Sequence, residues 1–344
     1  MARKYDASDI DVLESDRERV QKQAHIYIPD KRIAGAVHII REIVDNATDE
    51  VLNSSGDVEV SFDEISQEVV VKDTGRGIPL EKLKELCEVL NSSGKFQKGK
   101  NAAYWTSGGL HGIGQKLANF LSDYFEVYVE RDGKFVSRYY EDGIFIKEKT
   151  GKSDKHGTVV RFKLSDKYLK ELNKLSCKKI QKMIEEKTDA SPGLIVKFKG
   201  ITKNGEKIKE TYKGLTISEL MKKYSTPTSK VWDFTYESDD GNTRCSFAFG
   251  YNSKETEGST LMGWTNYIYN KEGGYHVDAI SDTLYDFFKR YLYNNFFTDK
   301  EKKNLQFRRE DVKLGLCGVV VLLATQVEYL GRKYIAHLHG DMLD

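Results

Sequence analysis

The chain has few cysteines, few prolines and no long apolar run. Its 344 residues include four cysteines, and none of these forms a CxxC pair with another. Neither a zinc site nor a disulfide framework is therefore indicated, and a reducing cytoplasm is the compartment that we expect. No stretch approaches the roughly 18 apolar residues of a membrane span. The N-terminus, MARKYDASDIDVLESDRERV, is charged and lacks the apolar core of a signal peptide.

An excess of one charge is also missing. The chain has 54 basic and 53 acidic residues, which leaves a formal net charge of +1. This balance gives no global attraction to nucleic acid, so any contact with DNA would depend on local patches. The lysine-rich stretch at 177–187 also carries acidic residues, and we interpret it as solvated surface. The hydrophobic fraction of 39% is typical of a globular protein with a substantial core.

Because the chain has only four prolines, few positions force a helix or strand to end. One cluster of serine, threonine and proline stands out, KKYSTPTSKVW at 222–232, and we place a domain boundary there. Before it, alternating apolar residues predict strands at 57–62, 68–73, 124–130, 157–164 and 193–200. Helical periodicity predicts helices at 34–53, 80–91, 114–123 and 166–187. Several strands follow one another directly, which favours an α+β layer with a mostly antiparallel sheet and helices on one face.

After the boundary, the sequence predicts a second, smaller α+β unit. Its predicted elements are strands at 244–251, 261–270 and 316–330 and an amphipathic helix at 276–295. The last of these strands begins with an unbroken apolar run, which is typical of a buried strand. The sequence contains no internal repeat and no low-complexity tract.

The stretch AGAVHIIREIVDNATDEV at 34–51 predicts a helix with two different sides. At about 100° per residue, one side is apolar and the other is polar. The apolar arc comprises Val37, Ile40, Val44, Ala47 and Val51, and the opposite side comprises Glu42, Asp45, Asn46 and Asp49. A solvated acidic face is one interpretation of this pattern. The other is a site, because Glu42 and Asn46 lie one turn apart and together would position a water and hold one Mg²⁺.

The stretch VVVKDTGRGIP at 69–79 predicts a buried strand that ends on Asp73, followed by glycines on either side of Arg76. A plain turn between strand and helix is one interpretation. In the functional interpretation, Asp73 accepts a hydrogen bond from an exocyclic amine at the mouth of the strand. The glycines would then let the backbone approach a flat ring closely.

The stretch TSGGLHGIGQ at 106–115 has four glycines at the start of a predicted helix. Such a helix start presents unpaired N–H groups that suit phosphate, although turns and tight helix packing use the same residues. It is neither a Walker A loop nor a dinucleotide-binding fingerprint. Upstream, Lys95 and Tyr104 lie in a glycine-rich and polar loop that is long enough to form a lid.

These three stretches, in this order, resemble the nucleotide-binding motifs of the GHKL ATPases: REIVDNATDE, DTGRGIP and GGLHGIG. Within that superfamily they resemble the ATPase region of type IIA DNA topoisomerases, the bacterial gyrase B and topoisomerase IV type and their phage relatives. Further matches extend the resemblance over nearly the whole chain, namely YDASDIDVLE, HIYIPD, VERDGK, KHGTVVRF, TNYIYNKEGGYHVDAI and REDVKLGL.

The resemblance implies an α+β fold in three parts. Residues 1–30 would form an N-terminal arm exchanged between subunits, and residues 31–222 a GHKL (Bergerat) two-layer sandwich. Residues 228–344 would form a smaller α+β transducer domain with a left-handed βαβ crossover, truncated at its C-terminal part.

The family's roles carry over by position. Glu42 would be the general base, Asn46 the Mg²⁺ ligand, and Asp73 the carboxylate that binds the adenine amino group, with Thr158 beside it through a bound water. Tyr5, on the arm, would reach the nucleotide held by the other subunit. The other nucleotide-binding positions implied are Asp49, Arg76, Gly77, Ile78, Pro79, Lys95, Tyr104, Gly108, Gly109, Leu110, His111, Gly112, Ile113 and Gly114.

The sequence departs from the family pattern in three places. The transducer's Gln-Thr-Lys signature is missing from TQVEYLGRKYIAHL at 325–338, where Lys333, or alternatively Arg332, would take over the catalytic lysine's contact with the γ-phosphate. The RPGMY motif that the family usually has before Tyr27 is also missing, and this stretch reads KQAHIYI instead. The DNA-cleaving half of a topoisomerase is also missing, so the chain would be a fragment or would work with separate chains.

The resemblance implies an ATP-binding and ATP-hydrolysing clamp of a type II DNA topoisomerase, with ATP and Mg²⁺ bound. ATP would favour a homodimer through the N-terminal arm, and the clamp would gate a DNA duplex together with a DNA-cleaving domain or subunit. The compartment would be the cytoplasm of a bacterium or of a phage-infected host. One alternative is a dimerisation switch with little turnover. Another is a different superfamily member: a chaperone, a mismatch-repair clamp or a histidine kinase.

Overall fold

The computed structural model describes residues 15–95, 103–106, 112–254, 258–271, 273–298, 307–325, 327–329 and 336–337. The chain divides into two compact units. The first comprises residues 1–96, 109–185 and 194–212, and the second comprises residues 97–108, 186–193 and 213–344. The main division thus falls after Tyr212, ahead of the boundary predicted at 222–232.

The first unit is built on one large sheet with helices. Its helices are α1 (Asp16–Lys22), α2 (Ile33–Asn53), α3 (Leu83–Glu88), α4 (Gly114–Phe120) and α5 (Cys177–Asp189), the last four residues of which group with the second unit. Its strands are β1 (Val58–Asp63), β2 (Glu68–Asp73), β3 (Ser122–Arg131), β4 (Lys134–Glu141), β5 (Ile144–Lys152), β6 (Gly157–Leu164), β7 (Ile195–Ile201) and β8 (Lys207–Lys213). The eight strands lie in the order β5-β4-β3-β6-β2-β1-β7-β8.

The strand directions follow from the connections. Neighbours joined by tight turns, such as β1–β2 and β3–β4, pair antiparallel, whereas β7 pairs parallel to β1. Along β1, β2 and β7, buried side chains alternate with more exposed ones, as expected when one sheet face packs on helices. The α+β prediction is thereby confirmed. The core of this unit combines α2 residues such as Ile39, Ile40 and Ile43 with the inward-facing strand residues.

The second unit is a five-stranded sheet with helices. Its helices are α6 (Ile217–Tyr224), α7 (Tyr275–Asn295) and α8 (Arg309–Lys313). Its strands are β9 (Trp232–Glu237), β10 (Thr243–Tyr251), β11 (Ser259–Thr265), β12 (Ile268–Tyr269) and β13 (Leu316–Ala324), in the order β12-β11-β13-β10-β9. A separate pair joins β14 (Glu328–Tyr329) to β15 (Ala336–His337). Strands β11 and β13 are parallel neighbours with α7 between them in sequence, and the handedness of this βαβ connection stays a prediction.

Some predicted elements differ from the observed ones. The helix predicted at 166–187 is an α-helix only from Cys177 onward, after a 3-10 turn at Leu172–Lys174. The strand predicted at 261–270 is a hairpin of β11 and β12, since Asn266 and Tyr267 both have positive φ and turn the chain. Within the described residues, no helix is long and apolar enough to cross a membrane.

Candidate functional site

Helix α2 carries the first group of predicted residues. Asp30 helps to begin it, because its carboxylate accepts the backbone N–H groups of Arg32 and Gly35 at 2.8 and 3.1 Å. The helix is buried around most of its circumference, and even Asp45 and Asp49 are buried. A solvated acidic face is therefore the wrong interpretation of this side of the helix, since α4 packs against α2.

Glu42 lies where α2 meets the start of α4. Its side chain is 26% exposed, and Nε2 of His38, one turn earlier, lies 3.9 Å from its Oε1. A Cβ added to Gly114 would lie 2.5 Å from both Cβ and Oε2 of Glu42, so a glycine is needed for this close approach. Glu42 is thus held at a helix contact while part of its side chain remains accessible to solvent.

Asn46 lies one turn after Glu42 and shares a cation with Asp49. The Lys95 ammonium donates to Oδ1 of Asn46 at 3.0 Å and to Oδ2 of Asp49 at 2.7 Å. The Lys95 side chain is 8% exposed and that of Asp49 is fully buried. Since a salt bridge removed from water is screened little, this pair joins the turn before residue 96 firmly to α2.

Asp73 ends β2 and is buried beside the first residues of β6. It stands directly opposite Thr158 in the sheet, whose backbone and side chain both hydrogen-bond to its carboxylate, and it also accepts the Gly75 N–H at 2.9 Å. Burial raises the pKa of the Asp73 carboxyl from 3.8 to about 7, with the nearby Glu50 charge adding to the rise and the hydrogen bonds opposing it. A carboxyl in this setting can accept a hydrogen bond from an amine in a poorly solvated slot.

Glu50 and Arg76 form an ion pair that no sequence pattern predicted. The Arg76 guanidinium donates from Nε and Nη2 to the two Glu50 oxygens at 2.8 and 3.0 Å, and the Arg76 backbone N–H adds a third bond at 2.8 Å. Two parallel N–H···O bonds fix the relative orientation of the two groups. The pair therefore attaches the DTGRGIP turn to the last turns of α2. The only sequence signal for it was an acid and a base in neighbouring motifs.

Gly77 brings the backbone of that turn close to the sheet. Its φ is +75°, and an added Cβ would lie 2.6 Å from the carbonyl oxygen of Glu130, so both conformation and space require glycine. Arg131 donates to the Gly77 carbonyl at 2.8 Å, and Nδ1 of His156 lies 2.7 Å from the Gly75 carbonyl. Ile78 follows, half-buried against the main core, and Pro79 precedes the 3-10 turn at Leu80–Lys82.

A groove of about 590 Å³ opens beside this turn. Its basic lining consists of Arg76, Arg131, Lys155 and His156, and Asp132 and Asp154 supply acidic groups. The DTGRGIP backbone therefore borders a polar, solvent-accessible space.

Most of the described site residues belong to the first unit, where they lie on α2, in the turns at 73–79 and 92–95, at the start of α4 and on β6. Tyr5, Gly108, Gly109, Leu110, His111, Arg332 and Lys333 lie outside the described residues. Tyr104 is described and half-buried, and it groups with the second unit. Its neighbour Trp105 donates from its indole N–H to the Gly241 carbonyl at 2.9 Å within that unit.

The donor set around Asn46 fits a small hard cation. Within the described residues there is no group of three or more histidine, cysteine or acidic side chains that could hold a metal, but Mg²⁺ usually takes one or two protein ligands and keeps several waters. The Asn46 amide oxygen and the Asp49 carboxylate already converge on one positive group, the Lys95 ammonium. Such a pair of oxygens is of the type that Mg²⁺ prefers.

Comparison with known families divides the chain in two. Residues 32–168 match the family described as histidine kinase-, DNA gyrase B-, and HSP90-like ATPase, and residues 202–332 match the family DNA gyrase B. Among curated proteins, DNA gyrase B of Thermotoga maritima is 32% identical over 96% of this chain and 53% of that protein. DNA gyrase B of Staphylococcus aureus is 29% identical over 95% and 52%. The chain spans about half the length of the curated relatives it matches.

Solved structures show the same fold. The 43K ATPase domain of Thermus thermophilus gyrase B, solved in complex with an aminocoumarin, aligns with a TM-score of 0.72 at 22% identity, covering 93% of this chain and 84% of that one. The ATPase region of Saccharomyces cerevisiae topoisomerase II aligns with a TM-score of 0.68 at 18% identity, covering 96% and 90%.

Proposed function

The chain belongs to the GHKL ATPases of the DNA gyrase B kind, and from this membership we propose that its first unit binds ATP with Mg²⁺ and hydrolyses it. We further propose that the nucleotide controls a homodimeric clamp, which gates a DNA duplex together with a DNA-cleaving topoisomerase domain or subunit. The observation that carries the proposal is that α2 contacts both other motifs: Glu42 meets Gly114 at the start of α4, and Glu50 binds Arg76 in the DTGRGIP turn.

At the base end of the nucleotide, Asp73 is the proposed acceptor for the adenine amino group. Its carboxylate is oriented by the Gly75 N–H and by Thr158, so little conformational entropy is lost when a ligand binds. Gly77 and Ile78 line the slot. The Glu50–Arg76 pair keeps the turn in place at its outer side.

At the phosphate end, Glu42 orients and deprotonates the attacking water. Its carboxylate is close to His38 and reaches the first residue of α4, and the N-terminus of a helix favours an anion. When a nucleotide binds, the Lys95 ammonium would leave Asn46 for the phosphates, and the Asn46 amide oxygen would then be available to hold Mg²⁺. When bound, Mg²⁺ neutralises charge on the phosphate oxygens. The roles of Lys333, or Arg332, and of Tyr5 from a second subunit remain part of the proposal.

The test is ATP hydrolysis by the purified chain, compared with that of Glu42→Ala. We expect Glu42→Ala to retain ATP binding and to lose turnover by about 10²–10⁴-fold, the usual contribution of a general base. Glu81→Ala removes an exposed acid outside the site and should turn over like the unchanged protein. Wild-type turnover in Glu42→Ala would remove Glu42 from its role, and absence of ATP binding by the unchanged chain would remove the proposed function.

One sequence observation favours a second function, a dimerisation switch with little turnover. The Gln-Thr-Lys signature that would carry the catalytic lysine is missing from 325–338. A switch would bind ATP and change its association state while hydrolysing it negligibly, with or without DNA. The ATPase rate measured in the presence and absence of duplex DNA separates the two functions.

A further inference from the structure

An ammonium group is buried between the end of α3 and the start of α4. Lys116 lies in the first turn of α4 and is 1% exposed. Its Nζ donates to two backbone carbonyls, those of Ser92 and Gly112, each at 2.7 Å. Since the two carbonyls belong to different parts of the chain, one side chain connects them.

Burying an ammonium is costly unless its charge is compensated. Burial lowers the pKa of the Lys116 ammonium to about 8, and its neighbours Leu117 and Ala118 are buried apolar residues. An apolar residue would pack in this place without that cost. A lysine here is therefore explained by what its ammonium holds.

The two carbonyls flank the proposed phosphate-binding residues. Ser92 lies three positions before Lys95, whose ammonium is bound to Asn46 and Asp49. Gly112 lies two positions before Gly114, which touches Glu42. The ammonium of Lys116 thus bonds to one segment that leads to Lys95 and to another that leads to Gly114.

We propose that Lys116 is a positioning residue for the triphosphate. Its ammonium holds the turn that carries Lys95 and the last part of the glycine-rich loop in one arrangement, so that both meet the phosphates together. This inference rests on the proposed ATP-binding function. Lys116 would act on the phosphates indirectly, through the two segments that it holds, because its Nζ is already bonded to the two carbonyls.

General packing of α3 on α4 has its own polar anchor. Asn119, on the same helix and fully buried, donates from Nδ2 to the Cys87 carbonyl at 3.0 Å. Gln115 donates to Sγ of the same cysteine at 3.3 Å. Neither of these bonds reaches Ser92 or Gly112, so Asn119 provides a matched control for a purely structural effect.

The experiment compares the affinity for a non-hydrolysable ATP analogue with Mg²⁺ to the affinity for adenosine, which has no phosphates. In Lys116→Met we expect the analogue to bind at least about tenfold more weakly, because two charge-assisted hydrogen bonds are lost. Adenosine should bind within about twofold of the unchanged chain, because the Asp73 slot is left intact. Lys116→Gln, which keeps a neutral donor, should give an intermediate ratio and carries the test if Lys116→Met does not fold.

Asn119→Leu should lower Tm without changing the ratio of the two affinities. A parallel loss of both affinities in the Lys116 variants would show a merely structural role and overturn the proposal, as would an unchanged ratio. If the unchanged chain binds neither ligand, it is the proposed function that fails, and this result differs from both of the others.

Discussion

At the scale of single residues, Asp73 is in the most unusual electrostatic setting of the site. Burial favours the neutral acid, whereas the hydrogen bonds from Gly75 and Thr158 favour the carboxylate. Burial is the larger effect, which places the pKa near neutrality. A carboxyl with a pKa near 7 can be neutral when the slot is empty and can ionise to accept a hydrogen bond from an amine. The protein then does not carry a permanently buried charge.

This balance predicts a pH dependence of stability. The pKa of Asp73 is raised in the folded state, so the folded protein binds one more proton than the unfolded chain between about pH 4 and pH 7. The free energy of unfolding should therefore fall as the pH rises through this window, by about 4 kcal/mol at most. Chemical denaturation of the unchanged chain and of Asp73→Asn, which cannot ionise, measures the effect as a difference between the two. A difference that stays constant between pH 4 and pH 7 would contradict the raised pKa.

Sequence patterns located the individual site residues but not their partners. Glu42, Asn46 and Asp73 were recognisable from two motifs, because each motif combines a functional side chain with local backbone requirements. The contact of Lys95 with Asn46 and Asp49 joins parts of the chain 46 to 49 residues apart, and no local pattern encodes such a distance. Lys116 resembles an ordinary surface lysine in sequence, and only its depth in the fold distinguishes it.

At the scale of secondary-structure elements, the contact between α2 and α4 depends on the smallest side chain. At Gly114 the first turn of α4 rests directly on Glu42. The catalytic carboxylate proposed here is thus positioned by a helix contact, and its location depends on the distance between two helices.

Gly114→Ala tests this dependence. The added methyl group would collide with Cβ and Oε2 of Glu42, so the helices must separate or Glu42 must move. We expect a loss of about 1–3 kcal/mol in the free energy of unfolding, as for overpacked cores, together with reduced ATP turnover.

Gly133→Ala is the matched control. Gly133 has a φ of +77° and open space around it, so alanine there costs about 1 kcal/mol of backbone strain and leaves Glu42 in place. Turnover should then be retained. Equal turnover in Gly114→Ala and Gly133→Ala would show that the position of Glu42 does not depend on this contact.

The alternation rule found most of the inner strands, but it missed the inner strand β4 and the edge strands β5, β8 and β9. Strands β2 and β6 have the predicted bounds, because both lie inside the sheet and bury every second residue. Strand β5, at the sheet edge, is exposed along nearly all of its length, and its sequence IFIKEKTGK shows no sustained alternation. Strand β9, whose residues are all exposed, follows the cluster of serine, threonine and proline that suggested a linker.

At the scale of the whole molecule, the proposed function predicts a change of association state. A single chain has a mass of 39.4 kDa. With a non-hydrolysable ATP analogue and Mg²⁺, light scattering should give twice this value, because the nucleotide favours the dimer by its higher affinity for that state.

Removal of residues 1–14, the first part of the proposed exchange arm at 1–30, should leave nucleotide binding to the single chain largely in place and weaken the dimer. A mass that stays at one chain while calorimetry shows bound analogue would contradict the clamp and leave the ATPase proposal standing.

The parallel pairing of β7 with β1 has a consequence for folding during synthesis on the ribosome. During synthesis, β1 (58–63) can pair with β2 almost immediately, because β2 follows it directly in sequence. Its other partner, β7 (195–201), is synthesised much later. At about 5–20 residues per second, translation leaves that side of β1 uncovered for roughly seven to thirty seconds. An unpaired strand edge exposes backbone N–H and C=O groups that can pair with another nascent polypeptide. We expect ribosome-associated chaperones to bind the unpaired edge of β1 during this interval.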